Sequence, residues 1–172
     1  AVRRPSAFAC GAPRTRDGKL ASDRLLLGPG VNTRERERCA VGLMTGKKCL
    51  VMGVANKRSI AWGIARALHR EGAELAFTYV NDRLKENVVE LVETLEGHEN
   101  MPLLPCDVAQ DGQIEAAFAA LKERWGKLDV LVHSIAFART EDLQRSFVDT
   151  PREGWRIAQE ITAWSLVAAA RE

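Results

Sequence analysis

The four cysteines in this 172-residue sequence form no Cys-x-x-Cys pair, and no histidine stands near one at ligand spacing. No metal site or disulfide framework is therefore expected, and a reducing cytoplasm is the simplest compartment. Cys49 and Cys106 fall inside apolar runs, where a cysteine usually serves as a small buried hydrophobe. No window approaches about 18 uninterrupted apolar residues, which argues against a membrane span. Gly-x-Gly-x-x-Gly, the usual phosphate loop of a dinucleotide-binding fold, is missing as well. Strong charge of either sign is absent: the net value is +2. That small sum hides an asymmetry. Residues 1–40 hold nine Lys/Arg against four Asp/Glu, and the remainder holds sixteen against nineteen.

What is present divides in two. Residues 1–40 lack any sustained apolar period, are broken by Pro5, Pro13 and Pro29, and lack an initial Met. They are expected to be a disordered basic extension outside the fold. An Arg- and Ser-bearing start also suits a transit peptide, though Asp17, Asp23, Glu35 and Glu37 count against it. A start assigned too early is a further reading. From about residue 41 the chain alternates short apolar runs with amphipathic stretches. The runs are 48–54, 74–80, 101–106 and 128–135, suited to strands buried on both faces of a parallel sheet. Helical patterns occupy 59–71, about 82–96 and about 111–125. A last helix is expected from Thr150 as N-cap, with Pro151 at its first position and Glu153 closing a capping box. The order β-α-β-α-β-α-β-α, with right-handed crossovers, predicts a Rossmann-like doubly wound α/β/α sheet with strand order 3-2-1-4.

Ligands of such folds sit beyond the carboxyl ends of the strands, so four loops carry the functional reading. After the first run comes Gly53-Val-Ala-Asn-Lys-Arg-Ser59-Ile60, with the next glycine only at Gly63. Gly53 offers close backbone approach, the Ser59 hydroxyl and the Ser59–Ile60 amides could face a phosphate, and Gly63 would seat the helix on the sheet. An ordinary capped helix after a strand fits equally. The second run ends at Val80, where a conventional NAD site has an acid; Asn81 or Asp82 reads as the next helix cap. NADH is favoured over NADPH because no basic residue stands at that tip. The third run ends at Asp107-Val108, an acid that could meet an adenine amino group and a side chain that could cover the ring. Asp107 could equally cap the following helix. The fourth ends in His133-Ser-Ile135-Ala-Phe-Ala138, whose small residues would let a nicotinamide ribose lie against the backbone. His133 reads as a packed strand residue.

These motifs together carry a resemblance. Residues 45–79, followed by Cys-Asp-Val at 106–108, His-Ser-Ile-Ala-Phe-Ala at 133–138 and the segment 152–170, closely resemble bacterial NADH-dependent enoyl-acyl-carrier-protein reductases of the FabI type. These form a divergent branch of the short-chain dehydrogenases/reductases. The resemblance implies NADH-driven reduction of the trans-2 double bond of an enoyl-acyl-carrier-protein in fatty acid biosynthesis. It implies cofactor contacts at Gly53, Ser59, Ile60, Val80, Asp107, Val108 and Ile135, and a substrate contact at Ala138. It also implies a homotetramer, and a catalytic tyrosine and lysine that lie beyond Glu172. The sole tyrosine here, Tyr79, belongs to the second run. The 172 residues therefore read as the amino-terminal half of such an enzyme, inactive alone. Enoyl-dependent oxidation of NADH by this chain would refute that.

Two other readings stay in view. Short-chain reductases acting on ketones or sugars carry Gly-x-x-x-Gly-x-Gly and Asn-Asn-Ala-Gly, and neither occurs here. A non-catalytic nucleotide-binding module could use the basic extension on nucleic acid. Salt-dependent DNA or RNA binding, lost on deletion of residues 1–40, would favour it. No nucleic-acid or membrane partner is expected.

Overall fold

A computed structural model describes residues 42–172; the extension expected over 1–40 lies outside the described residues. Four strands, β1 (Lys48–Met52), β2 (Glu74–Tyr79), β3 (Leu103–Pro105) and β4 (Val130–His133), pair in parallel in the order β3-β2-β1-β4. This is the expected doubly wound order. Helices α1 (Ile60–Arg70), α2 (Asp82–Val92) and α3 (Asp111–Trp125) make the crossovers.

The strands are mostly apolar, and the inner pair, β1 and β2, are buried on both faces along most of their length. Cys49 and Val51 point to one side, where they pack with Leu75 and Phe77 against Trp62 and Ala65 of α1 and Val88 and Val92 of α2. Leu50 and Met52 point to the other, against Ile114, Ala117 and Leu121 of α3 and Ala169 near the chain end. The result is three layers with two cores. Among the described residues the outer edge of β4 carries no further strand.

Local details depart from expectation. The first strand ends at Met52 because Gly53 turns to φ +96°. The third is cut to Leu103–Pro105, since Pro102 and Pro105 have no N–H to donate. Gly63 does not seat α1 on the sheet: it is exposed with open space around it, and Ala61, Trp62 and Ala65 make that contact. A short helix α4 (Thr140–Leu143) and a 3-10 turn at Phe147–Asp149 precede the last helix. That helix is α5 (Arg152–Gln159), a π turn (Glu160–Trp164) and α6 (Ser165–Arg171). The capping box expected at its start does not form. Pro151 takes the N-cap position, the Thr150 hydroxyl donates to Phe147 O at 2.8 Å, and Glu153 pairs with Arg156 at 2.8 Å.

The amino end of β4 is tied to β1 by Asp129. Its carboxylate accepts from the Lys48 amide at 3.0 Å and from Lys127 Nζ at 2.9 Å, with Lys47 Nζ at 3.7 Å. The Lys48 amide first, then Lys127, hold the Asp129 carboxyl at about 2. The folded state thus favours the ionised form, so this stabilisation is complete above the ordinary carboxyl value of about 4. It is lost as the pH falls toward about 2. In Asp129→Asn the melting temperature is expected to depend less steeply on pH across that window. An unchanged slope would discount the contact.

Candidate functional site

The carboxyl ends of the strands frame a cleft of about 170 Å³, with walls from all four loops. Gly53, Val80 and Ile135, three of the expected contacts, line it together with Tyr79, Cys106 and Ser134. Ser59, Ile60, Asp107, Val108 and Ala138 lie outside its walls. A larger cavity, about 610 Å³, opens at the amino ends beside Lys48 and Glu74. Three of its polar side chains are occupied structurally. Lys48 Nζ donates to Trp125 O, His69 Nε2 to Glu96 O and Arg124 to Asn100 O, each within 2.9 Å. Topology and chemistry both favour the carboxyl end.

The loop from Gly53 to Ile60 is built by its own side chains. Ser59 occupies the N-cap position of α1, yet its hydroxyl turns back into the loop and accepts from the amides of Ala55 (3.0 Å) and Asn56 (2.9 Å). The Ser59 amide donates to Asn56 O at 3.0 Å, so it does not face outward as expected. Asn56 Oδ1 accepts from the Arg58 amide at 2.8 Å, and Asn87 Nδ2 on α2 donates to Ala55 O at 3.2 Å. The hydroxyl proton of Ser59 stays available as a donor, since the oxygen only accepts in these bonds. Beyond it α1 runs for eleven residues with no acid in its first turn, an end suited to an anion. The role expected of Gly53 is altered. A Cβ there would stand 2.0 Å from Ser134 O, so its close approach is to the backbone after β4.

At the tip of β2, Val80 is 47% exposed and Asn81 Oδ1 caps α2 by accepting from the Leu84 amide at 3.0 Å. Tyr79 lies under Lys85, whose Nζ is 5.5 Å from the ring centroid. Asp107 does not cap α3, whose N-cap is Gln110, and bonds within its own loop instead. Its carboxylate accepts from the Ala109 amide at 3.0 Å and from Gln110 Nε2 at 3.2 Å, while its own amide donates to Gln113 Oε1 at 2.8 Å. The Val108 side chain is buried in the core with Ile114. Burial first, then the Asp107 charge, push the Cys106 thiol up to about 11, so it is no nucleophile.

At the end of β4 the reading of His133 as a packed residue holds: the imidazole is half-buried, and Nε2 lies 2.7 Å from Ser165 Oγ. Burial holds it below the ordinary histidine value. Sequence reasoning did not name Thr78, Tyr79 or Leu84 as wall residues, though Tyr79 adjoins Val80. Asn87 sits 32 residues from the loop it braces, and nothing local signals that. Among the described residues no group of His, Cys, Asp and Glu could hold a metal, and no helix is long and apolar enough to cross a membrane.

Residues 53–172 match the family described as enoyl-(acyl carrier protein) reductase. The NADH-dependent enoyl-[acyl-carrier-protein] reductase FabI of Bacillus cereus is 54% identical over 130 residues, covering 76% of this chain and 50% of that protein. That of Aquifex aeolicus is 46% identical, covering 77% and 48%. Two solved structures superpose on the fold. The Bacillus cereus reductase with NADP+ and indole naphthyridinone has a TM-score of 0.72 at 52% identity, covering 76% of this chain and 50% of that one. The Anaplasma phagocytophilum reductase with NAD has 0.70 at 37%, covering 76% and 48%. The chain spans about half the length of the relatives it matches. With its fold, strand-end loops and sequence in agreement, the chain belongs to the enoyl-(acyl carrier protein) reductase family.

Proposed function

We propose that this chain forms the dinucleotide-binding half of an NADH-dependent enoyl-acyl-carrier-protein reductase of fatty acid biosynthesis. The observation that carries the proposal is the loop after β1, braced by Ser59, Asn56 and Asn87 and leading into an acid-free helix start. Bound there, the reduced dinucleotide would supply the hydride that, together with a proton, saturates the double bond of a trans-2-enoyl thioester. The part of this chain is to hold and orient. Ser59 and the first-turn amide of Ile60 meet the pyrophosphate, Gly53 keeps the floor of the cleft low, and Val80 flanks the adenosine ribose. Asp107 and Val108 present the β3 loop toward the adenine. Ile135 and the small residues around it leave room for the nicotinamide ribose, with Ala138 beside the acyl chain.

NADH rather than NADPH is proposed because Val80 is neutral and Asn81 is committed to the α2 cap. The enoyl group arrives on acyl carrier protein in the cytoplasm, and the longer enzyme is a homotetramer. The exposed Trp155, Leu166 and Val167 support such self-association. Residues 1–40 are proposed as an extension apart from the fold.

Titrating the 172-residue chain with NADH tests the reading. Saturable binding is expected, and Ser59→Ala is expected to weaken it about tenfold through loss of two amide contacts that shape the loop. Fused to the carboxyl-terminal half of the Bacillus cereus relative, the chain is expected to oxidise NADH only when an enoyl thioester is present. Absence of binding and of turnover in the fusion would sink the proposal.

A further inference from the structure

The last helix contains one irregular turn, and that turn is joined to the cleft. In the π turn Glu160–Trp164 the Ser165 amide donates to Glu160 O, five residues back. An α-helical register would have sent it to Ile161 O instead. Ile161 O is filled by the Ser165 hydroxyl at 2.6 Å. A hydroxyl has one proton, so with that proton on Ile161 O the Ser165 oxygen accepts from His133 Nε2 at 2.7 Å. Ser165 is wholly buried. A second side chain of the same turn, Thr162, accepts at Oγ1 from the Phe137 amide at 3.2 Å.

These two ties hold both ends of one short loop. His133 is the last residue of β4, Phe137 lies four residues on, and between them Ser134, Ile135 and Ala136 line the cleft. A dinucleotide lying across the strand ends of a doubly wound sheet places one half over β2 and β3 and the other beside β4. Resting on the proposed function, we infer that Thr162 and Ser165 are positioning residues that set the β4 loop for the nicotinamide half of the dinucleotide. Neither lines the cleft, and neither is among the side chains that brace the Ser59 loop. Their effect is therefore confined to one end of the ligand.

The test compares Thr162→Val with Thr162→Ser in the 172-residue chain, reading NADH affinity, ADP-ribose affinity and hydrogen exchange at the Phe137 amide. ADP-ribose keeps the adenosine and pyrophosphate and lacks the nicotinamide. Thr162 is half-buried and valine is its isostere, so the variant is expected to fold. Loss of one hydrogen bond predicts about five- to tenfold weaker NADH binding and about tenfold faster exchange at Phe137, with ADP-ribose affinity unchanged. Thr162→Ser restores both. Unchanged NADH affinity, or equal weakening toward both ligands, overturns the inference while the proposed function stands. Failure of the unsubstituted chain to bind either ligand overturns the proposed function and the inference with it. If Thr162→Val unfolds, Ser165→Ala, which removes the acceptor of His133 Nε2, is scored by the two affinities: weaker NADH binding with unchanged ADP-ribose binding is expected, and unchanged or equally weakened binding overturns the inference.

Discussion

Gly53→Ala is expected to destroy NADH binding and to cost several kcal/mol of stability. Two effects add. The backbone at φ +96° is one that residues with side chains rarely adopt, worth about 1–3 kcal/mol. The new Cβ would also meet Ser134 O at 2.0 Å and Ser134 C at 2.6 Å, and neither backbone atom can rotate aside. Relief requires moving the end of β1 away from β4, where the Ser134 amide donates to Met52 O at 3.1 Å. That displacement would carry the cleft wall with it. Gly46→Ala is the control: Gly46 also has positive φ, +72°, but open space around it. It isolates the conformational cost, about 1 kcal/mol. Denaturant midpoints and NADH titrations of the two variants decide the matter. A Gly53 variant no worse than the Gly46 variant would refute the close-approach argument.

Phe77→Ala is the second large effect. Phe77 is wholly buried in β2, between Val51 on β1 and Leu103 on β3, with its ring centroid 6.4 Å from that of Trp62. It joins α1 to the sheet, so its removal leaves a cavity that packed strands cannot collapse to fill. The expected cost is about 3–5 kcal/mol, a large share of the roughly 5–15 kcal/mol by which a domain is stable. The urea midpoint should fall far, with loss of near-ultraviolet circular dichroism. Leu143→Ala, at a side chain 73% exposed, is expected to stay within about 0.5 kcal/mol. Comparable shifts in the two would show that the core is not organised around Phe77.

The strand order was legible because the runs at β1, β2 and β4 are mostly apolar, with polar residues only toward their ends, and alternate with amphipathic helices. The crossover helices were legible from their stripes, though α2 stops at Val92 and Leu95 reaches the core from the following turn. Legibility failed where one side chain could choose among partners. Glu153 had a backbone amide to cap and an arginine three residues on, and the arginine won with two contacts of 2.8 and 3.0 Å. Ser59 could face a ligand or its own loop, and two amides four and three residues back claimed its oxygen. Asp107 met the same choice with the same outcome. The π turn left no mark in the apolar pattern, and Ser165 beside it meets a residue 32 positions away. The order of strand ends pointed to the four loops that wall the cleft; the orientations of their side chains depended on contacts that only folding creates.

The self-bonded loop after β1 has a kinetic consequence. Lys57 and Arg58 are exposed at its crest, while Asn56, Ser59 and Asn87 hold the backbone beneath them. The loop has its shape without a ligand, so little conformational penalty is expected at the moment of encounter. On the proposed function, nucleotide binding is expected to proceed without a slow ordering step, and variants of the bracing residues are expected to separate mainly by how fast the nucleotide leaves. The crest, free of structural duty, can change its charge to suit a different nucleotide while the frame below it stays the same.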